Sequence, residues 1–109
     1  MEAKTPREFF EQILPSRFKP DKAAGIDVVV QISIVGSGGG DWVVTIKNQQ
    51  LEVQEGTHSS PKLLVRMTEK DYLDVVNGKM SGEKAFFSGK LQLKGDIMLA
   101  LRLKDTGFL

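Results

Sequence analysis

Few residues of this 109-residue chain are of the types that make or break bonds. Its one histidine, His58, stands beside Ser59 and Ser60, a grouping from which a Ser–His–acid site can be built. No Gly-x-Ser-x-Gly elbow presents a nucleophile, however, and the segment reads as a polar surface loop. The chain has no cysteine, which removes a thiol nucleophile, a thiolate zinc site and a disulfide scaffold together. Its carboxylates are scattered, so no metal site is implied. Gly36-Ser37-Gly38-Gly39-Gly40 looks like a phosphate loop but leads into an alternating strand, not a helix, and lacks a following Lys-Ser/Thr. It reads as a hairpin turn. Asp96 is the acid best placed for a role, and it heads a helix, where capping is its structural use. No catalytic residue and no cofactor are expected.

The rest of the chain is organised around apolar periodicity. Thr5, Pro6 and Glu8 form a capping box with a proline start, and Phe9, Phe10, Ile13 and Leu14 make one apolar stripe. A helix is predicted over 5–14, ended or bent by Pro15, with a loop or short helical turn over 16–25. Alternating residues predict strands over 27–35, 42–47, 50–55 and 62–67, each with one apolar side and one polar side. The links are short, so the first three strands should form an antiparallel meander. Thr68 with Asp71 then opens a helix that Asn77-Gly78 stops. Another helix is expected within 80–87, a strand over 90–94, and a last helix over 97–104 capped by Asp96. The expected fold is therefore α+β, with element order α-β-β-β-β-α-α-β-α. Its two layers are a five-stranded mixed, mostly antiparallel sheet and the helices that cover one face.

Composition agrees with one domain spanning 1–109. The 15 basic and 14 acidic residues nearly cancel, so no strong field draws the chain to nucleic acid, and the outward strand positions carry no aromatics for base stacking. Hydrophobic residues make up 40%, enough for a core. No apolar run approaches the roughly 20 residues of a membrane span, and the charged N-terminus is not signal-like. An intracellular, cytoplasmic protein is expected. The last helix is more apolar than a sheet cover requires, since Ile97, Met98, Leu99, Leu101 and Leu103 go nearly all the way round it. That surplus has three readings: a tightly wrapped core, the lining of a cavity, or a face that docks on a partner chain.

At this point the chain resembles a known family. The order Gly78-Lys79-Met80, Ala85-Phe86-Phe87, Gly89-Lys90, Gly95-Asp96 and Ala100 is similar to the C-terminal half of the sterol carrier protein type 2 family. The glycine turn and the Asp41-Trp42-Val43-Val44 strand match as well, so the likeness runs from about residue 7 onward. The resemblance implies an apolar tunnel between sheet and helices that binds fatty acids, fatty acyl-CoA, sterols or phospholipids without catalysis. Carried over by position, the ligand-binding residues would be Met80, Phe86, Phe87, Leu91, Leu93, Ile97, Met98 and Leu101, with Ile32, Ile34, Trp42, Val44 and Ile46 as the floor. Glu83 and Ser88 stand where animal members often carry glutamines. Many members also run on to a peroxisomal targeting tripeptide, whereas this chain ends Gly107-Phe108-Leu109.

Physics makes such a pocket broad in taste, because each buried methylene contributes about 0.8 kcal/mol whatever the chain it belongs to. The expected partner is thus a lipid ligand. The outward basic residues Lys47, Lys62, Arg66, Lys90 and Lys94 read either as an ordinary solvated face or as a weak dock for anionic membranes. Two other roles fit the same residues: an accessory protein presenting an isoprenoid- or quinone-type lipid to an enzyme, and a structural interaction module.

Overall fold

The computed structural model describes residues 2–107. Phe108 and Leu109, the end of the terminal sequence noted above, lie outside the described residues. The first helix is one rod in three parts: α1 (Pro6–Glu8), a π-helical turn (Phe9–Ile13) and α2 (Leu14–Arg17). Thr5 Oγ1 accepts the Glu8 N–H at 3.1 Å, while Glu8 Oε1 accepts the Lys4 N–H at 2.8 Å. Of the two outcomes expected at Pro15, an end or a bend, the end is not found, because the helix runs on to Arg17. A proline ring collides with the carbonyl four residues earlier in a regular helix, and the widened π turn just before Pro15 relieves that conflict. A short 3₁₀ turn (Pro20–Ala23) then leads into the sheet.

The five strands are β1 (Val28–Val35), β2 (Gly40–Lys47), β3 (Gln50–Glu55), β4 (Leu63–Thr68) and β5 (Gln92–Gly95), lying side by side in the order β3-β2-β1-β4-β5. The first three form the predicted meander, β4 runs parallel to β1, and β5 pairs antiparallel with β4. Four helices or helical segments follow the sequence-based pattern on the inner face, with α3 (Glu69–Val76), α4 (Gly82–Phe87) and α5 (Ile97–Leu103) after the helical rod. Thr68, Ser81 and Asp96 each accept a backbone N–H three residues on, so every one of these helices starts where a side-chain oxygen caps it.

Inward residues of the central strands are fully buried. Val30, Ile32, Val44 and Ile46 share one core with Phe9, Phe10, Leu14 and Tyr72. The outer face departs from simple alternation, since Gln31 and Val43 are buried there too. The connection from β3 to β4 must pass β2 and β1, and Gln31 fastens it on that face. Its Nε2 donates to the Gly56 carbonyl at 3.1 Å, and its Oε1 accepts the His58 N–H at 2.7 Å. His58 Nδ1 in turn accepts the Ser60 N–H at 3.0 Å, so the single histidine holds the turn together.

Candidate apolar binding cavity

The elements at one end of the molecule do not close completely. Gly95 ends β5 with φ +113°, and a Cβ there would stand 2.3 Å from the Lys62 carbonyl oxygen. Only a glycine lets the chain turn this tightly against β4 and pass at once into α5. The Asp96 N–H donates to that same Lys62 oxygen at 3.1 Å, and the Asp96 side chain caps α5. Helices α4 and α5 are thereby held over the β4–β5 edge of the sheet, while the helical rod packs elsewhere.

Between them lies a cavity of about 250 Å³. Its floor is Leu63 and Val65 of β4 with Leu93 of β5, and Leu91 closes one side. Phe86 and Phe87 of α4, with Gly82, form one wall, and Ile97, Ala100, Leu101 and Leu103 of α5 form the other. The ionisable groups in the lining are Glu83 and Lys104. They are bonded to each other at the rim, joining α4 to the residue after α5. The Lys104 ammonium holds the Glu83 carboxyl below the usual carboxylate range, and Glu83 holds Lys104 above the usual lysine value. A pocket so lined has groups for sheltering an aliphatic chain and one ion pair near which a polar end can sit.

Of the residues singled out from the sequence, the structure brings Phe86, Phe87, Leu91, Leu93, Ile97 and Leu101 together around this cavity. It does not bring the others. Ile32, Ile34, Val44 and Ile46 belong to the solid core, and Met98 points outward, 72% exposed. Met80 packs partly buried against the core without reaching the lining. Trp42 is stacked on Phe10 with centroids 5.0 Å apart. It borders a second hollow of about 690 Å³ between the helical rod and strands β2 and β3. That hollow is larger but is an open groove with Glu11, Gln49, Gln50 and Glu55 in its walls, and it gives an aliphatic chain less shelter from water than the α4–α5 cavity does. Sequence reasoning missed Leu63, Val65, Ala100 and Leu103. Alternation places Leu63 and Val65 on the inner face, and only the strand order sets them beside β5.

Fold and cavity together define an α+β domain built around an apolar chamber at one edge of its sheet. Residues 10–106 match the SCP-2 sterol transfer family, and the chain belongs to that family. It is 35% identical over 72 residues to sterol carrier protein 2 of Homo sapiens, covering 64% of this chain and 13% of the human protein. Over 92 residues it is 32% identical to peroxisomal multifunctional enzyme type 2 of Mus musculus, covering 76% of this chain and 12% of that enzyme. The chain thus spans about an eighth of the length of these curated relatives. The solution structure of palmitated SCP2L2 from Aedes aegypti superimposes with a TM-score of 0.72 at 27% identity, covering 100% of this chain and 96% of that one. Among the described residues, no helix is long and apolar enough to cross a membrane.

Proposed function

We propose that this domain is a non-catalytic intracellular carrier that holds the aliphatic chain of a fatty acid or fatty acyl-CoA in the α4–α5 cavity. The observation that carries the reading is the lining itself: apolar side chains from four elements around a hollow of about 250 Å³, with charge confined to the rim. Ligand pockets for larger molecules run to roughly 300–1,000 Å³, so one acyl chain suits this volume better than a sterol or a two-chain phospholipid, which would require the helices to part. The palmitated relative supports the same choice. About ten methylenes buried at about 0.8 kcal/mol each give about 8 kcal/mol, equivalent to a micromolar constant before ordering costs.

The proposed contacts are Phe86, Phe87, Leu91, Leu93, Ile97 and Leu101 with Leu63, Val65 and Leu103 beneath them. Displacement of a fluorescent fatty acid by palmitate tests the reading. Saturable displacement at micromolar palmitate is expected, and no uptake of any long-chain ligand would overturn it. One observation favours a second role on the same cavity. The mouse relative carries its matching stretch as 12% of a much longer enzyme, an arrangement suited to presenting a lipid to a catalytic partner. Lipid binding by the isolated domain without transfer between vesicles would favour presentation over carriage.

A further inference from the structure

The sheet ends at β3, and the outer edge of that strand is bare. Asn48 and Gln49, at φ +52° and +62°, form the two-residue turn between β2 and β3. Such a turn is closed by a hydrogen-bonded pair, here Lys47 with Gln50. Antiparallel pairing then alternates, so Gln50, Glu52 and Gln54 spend their main-chain groups on β2. The Gly56 N–H donates to the Asp41 carbonyl at 2.9 Å, which keeps the same alternation to the end of the strand. The N–H and C=O groups of Leu51, Val53 and Glu55 therefore face away from β2, and nothing among the described residues bonds to them.

The same three residues turn their side chains inward, since they sit opposite Ile46, Val44 and Trp42. There they meet the open groove of about 690 Å³. Two bridges tie the helical segments to the two ends of β3: Arg7 to Glu55 at 2.8 Å, and Gln49 Nε2 to the Pro20 carbonyl at 3.0 Å. Between them Pro15 and Phe18 stand across the groove from Leu51 and Val53. A free main-chain edge beside an apolar trough is a seat for one more strand.

Charge narrows what that strand can be. On the β2–β3 hairpin Asp41, Glu52 and Glu55 outnumber Lys47. Across the groove Glu11 and Glu55 share one cation, Arg7, and Glu52 is exposed with no ion pair among the described residues. At the Pro20 end Lys19 and Lys22 stand against Asp21, so the acid surplus lies along β3 and at its Glu55 end. We propose that the β3 edge is a protein-interaction surface that takes an extended peptide as a sixth strand, with apolar residues at alternate positions entering the groove and basic residues meeting Glu52 and Glu55. A second copy of this chain fits less well, because two β3 strands, each with Glu52 and Glu55 and no cation of its own, would bring like charges together. The surface lies at the opposite edge of the sheet from the α4–α5 cavity, so a partner and a lipid can be held together and the inference does not depend on the carrier reading.

A short acetylated, amidated peptide of alternating valine and lysine tests it by NMR titration and amide hydrogen exchange. In the free protein the Leu51, Val53 and Glu55 amides should exchange quickly, and saturating peptide should slow them at least about tenfold. The Glu52 and Gln54 amides should be protected throughout. Val53→Pro removes a donor that β2 does not use. It should stay folded, still take up fatty acid and lose the peptide. The same peptide N-methylated at its valines should not bind the wild type, a control that stands even where the proline disturbs the strand. Glu52→Lys should weaken peptide binding up to about fivefold. No saturable binding, or binding that leaves the Leu51, Val53 and Glu55 amides in fast exchange, would overturn the inference. So would slow exchange of those amides in the free protein that dilution abolishes, because a second copy would then own the edge.

Discussion

Phe10 lies against Trp42 with ring centroids 5.0 Å apart and planes inclined by 22°, and the far side of Phe10 is stacked in turn on Tyr72 at 5.5 Å. The three rings fill the space under the helical rod, so the only tryptophan reports on the solid core and not on the α4–α5 cavity. Palmitate should therefore leave Trp42 emission nearly unchanged, which a fluorescence titration checks. Phe10→Ala should cost about 3–5 kcal/mol in denaturant unfolding, as a lost core aromatic does. At temperatures where the variant stays folded, it should still take up fatty acid.

Filling the cavity separates binding from folding. Ala100 lines the hollow from α5 and is only partly buried. Ala100→Phe should place its ring where the ligand would lie. A rigid, empty cavity of 250 Å³ would cost up to about 6 kcal/mol at about 24 cal/mol per Å³, and hydration or relaxation at the open mouth reduces that. The variant should melt several degrees above the ligand-free wild type and lose displacement by palmitate. Wild-type protein should gain thermal stability with palmitate by mass action, and the variant should not. Differential scanning fluorimetry with and without palmitate reads both effects.

Glu83 and Lys104 brace the two helices across the mouth. The carboxyl is shifted down by the hydrogen bond from Lys104 and by its positive charge, so the pair is intact at neutral pH. It is lost as pH falls through Glu83's lowered value, below the ordinary carboxylate range near about 4. Release of hexadecanol, a neutral long-chain probe, should quicken in that acid range for the wild type. Glu83→Gln should release it a few-fold faster at neutral pH and show no further acid effect. Both groups are exposed, so global stability should hardly change. Stopped-flow release across the pH range measures the difference.

Gly95 sets the seat of α5. A methyl group there would meet the Lys62 carbonyl at 2.3 Å, on a backbone with φ +113°. Gly95→Ala should destabilise the domain by at least about 1–3 kcal/mol and weaken fatty-acid binding, because α5 must lift from β4. Gly82 lines the same cavity, yet a Cβ there would meet nothing within 4 Å, so Gly82→Ala should fold as well as the wild type. Chemical denaturation and fatty-acid displacement on the two variants give the comparison.

The sheet was legible because period-2 alternation states which face of each strand is buried, and the caps at Thr5, Thr68 and Asp96 announced three of the helices. The helix runs past Pro15 to Arg17, beyond the 5–14 read from the sequence, because the π turn that accommodates the proline leaves no periodicity signal of its own. On α4, β5 and α5 the lining residues that the sequence named were reached through the family resemblance, since the apolar surplus of the last helix alone left a core, a cavity and a docking face all open. Those on β4 were not reached. Ile32 and Val65 are neighbours across the β1–β4 pair with the same inward pattern, and only the lateral strand order tells which of them sits beneath the rod and which beneath the last two helices. Met98 entered the expected lining by position in the family resemblance, whereas the structure leaves that side chain exposed and outside the lining.

The most direct measurement is by NMR, with ¹³C-palmitate bound to the protein and contacts recorded from its methylenes to assigned side chains. The account predicts contacts to Leu63, Val65, Leu93, Phe86 and Leu101, and none to Phe10 or Ile46. Contacts to Trp42, Leu51 and Val53 in the open groove, or no contacts at all under saturating palmitate, would contradict it.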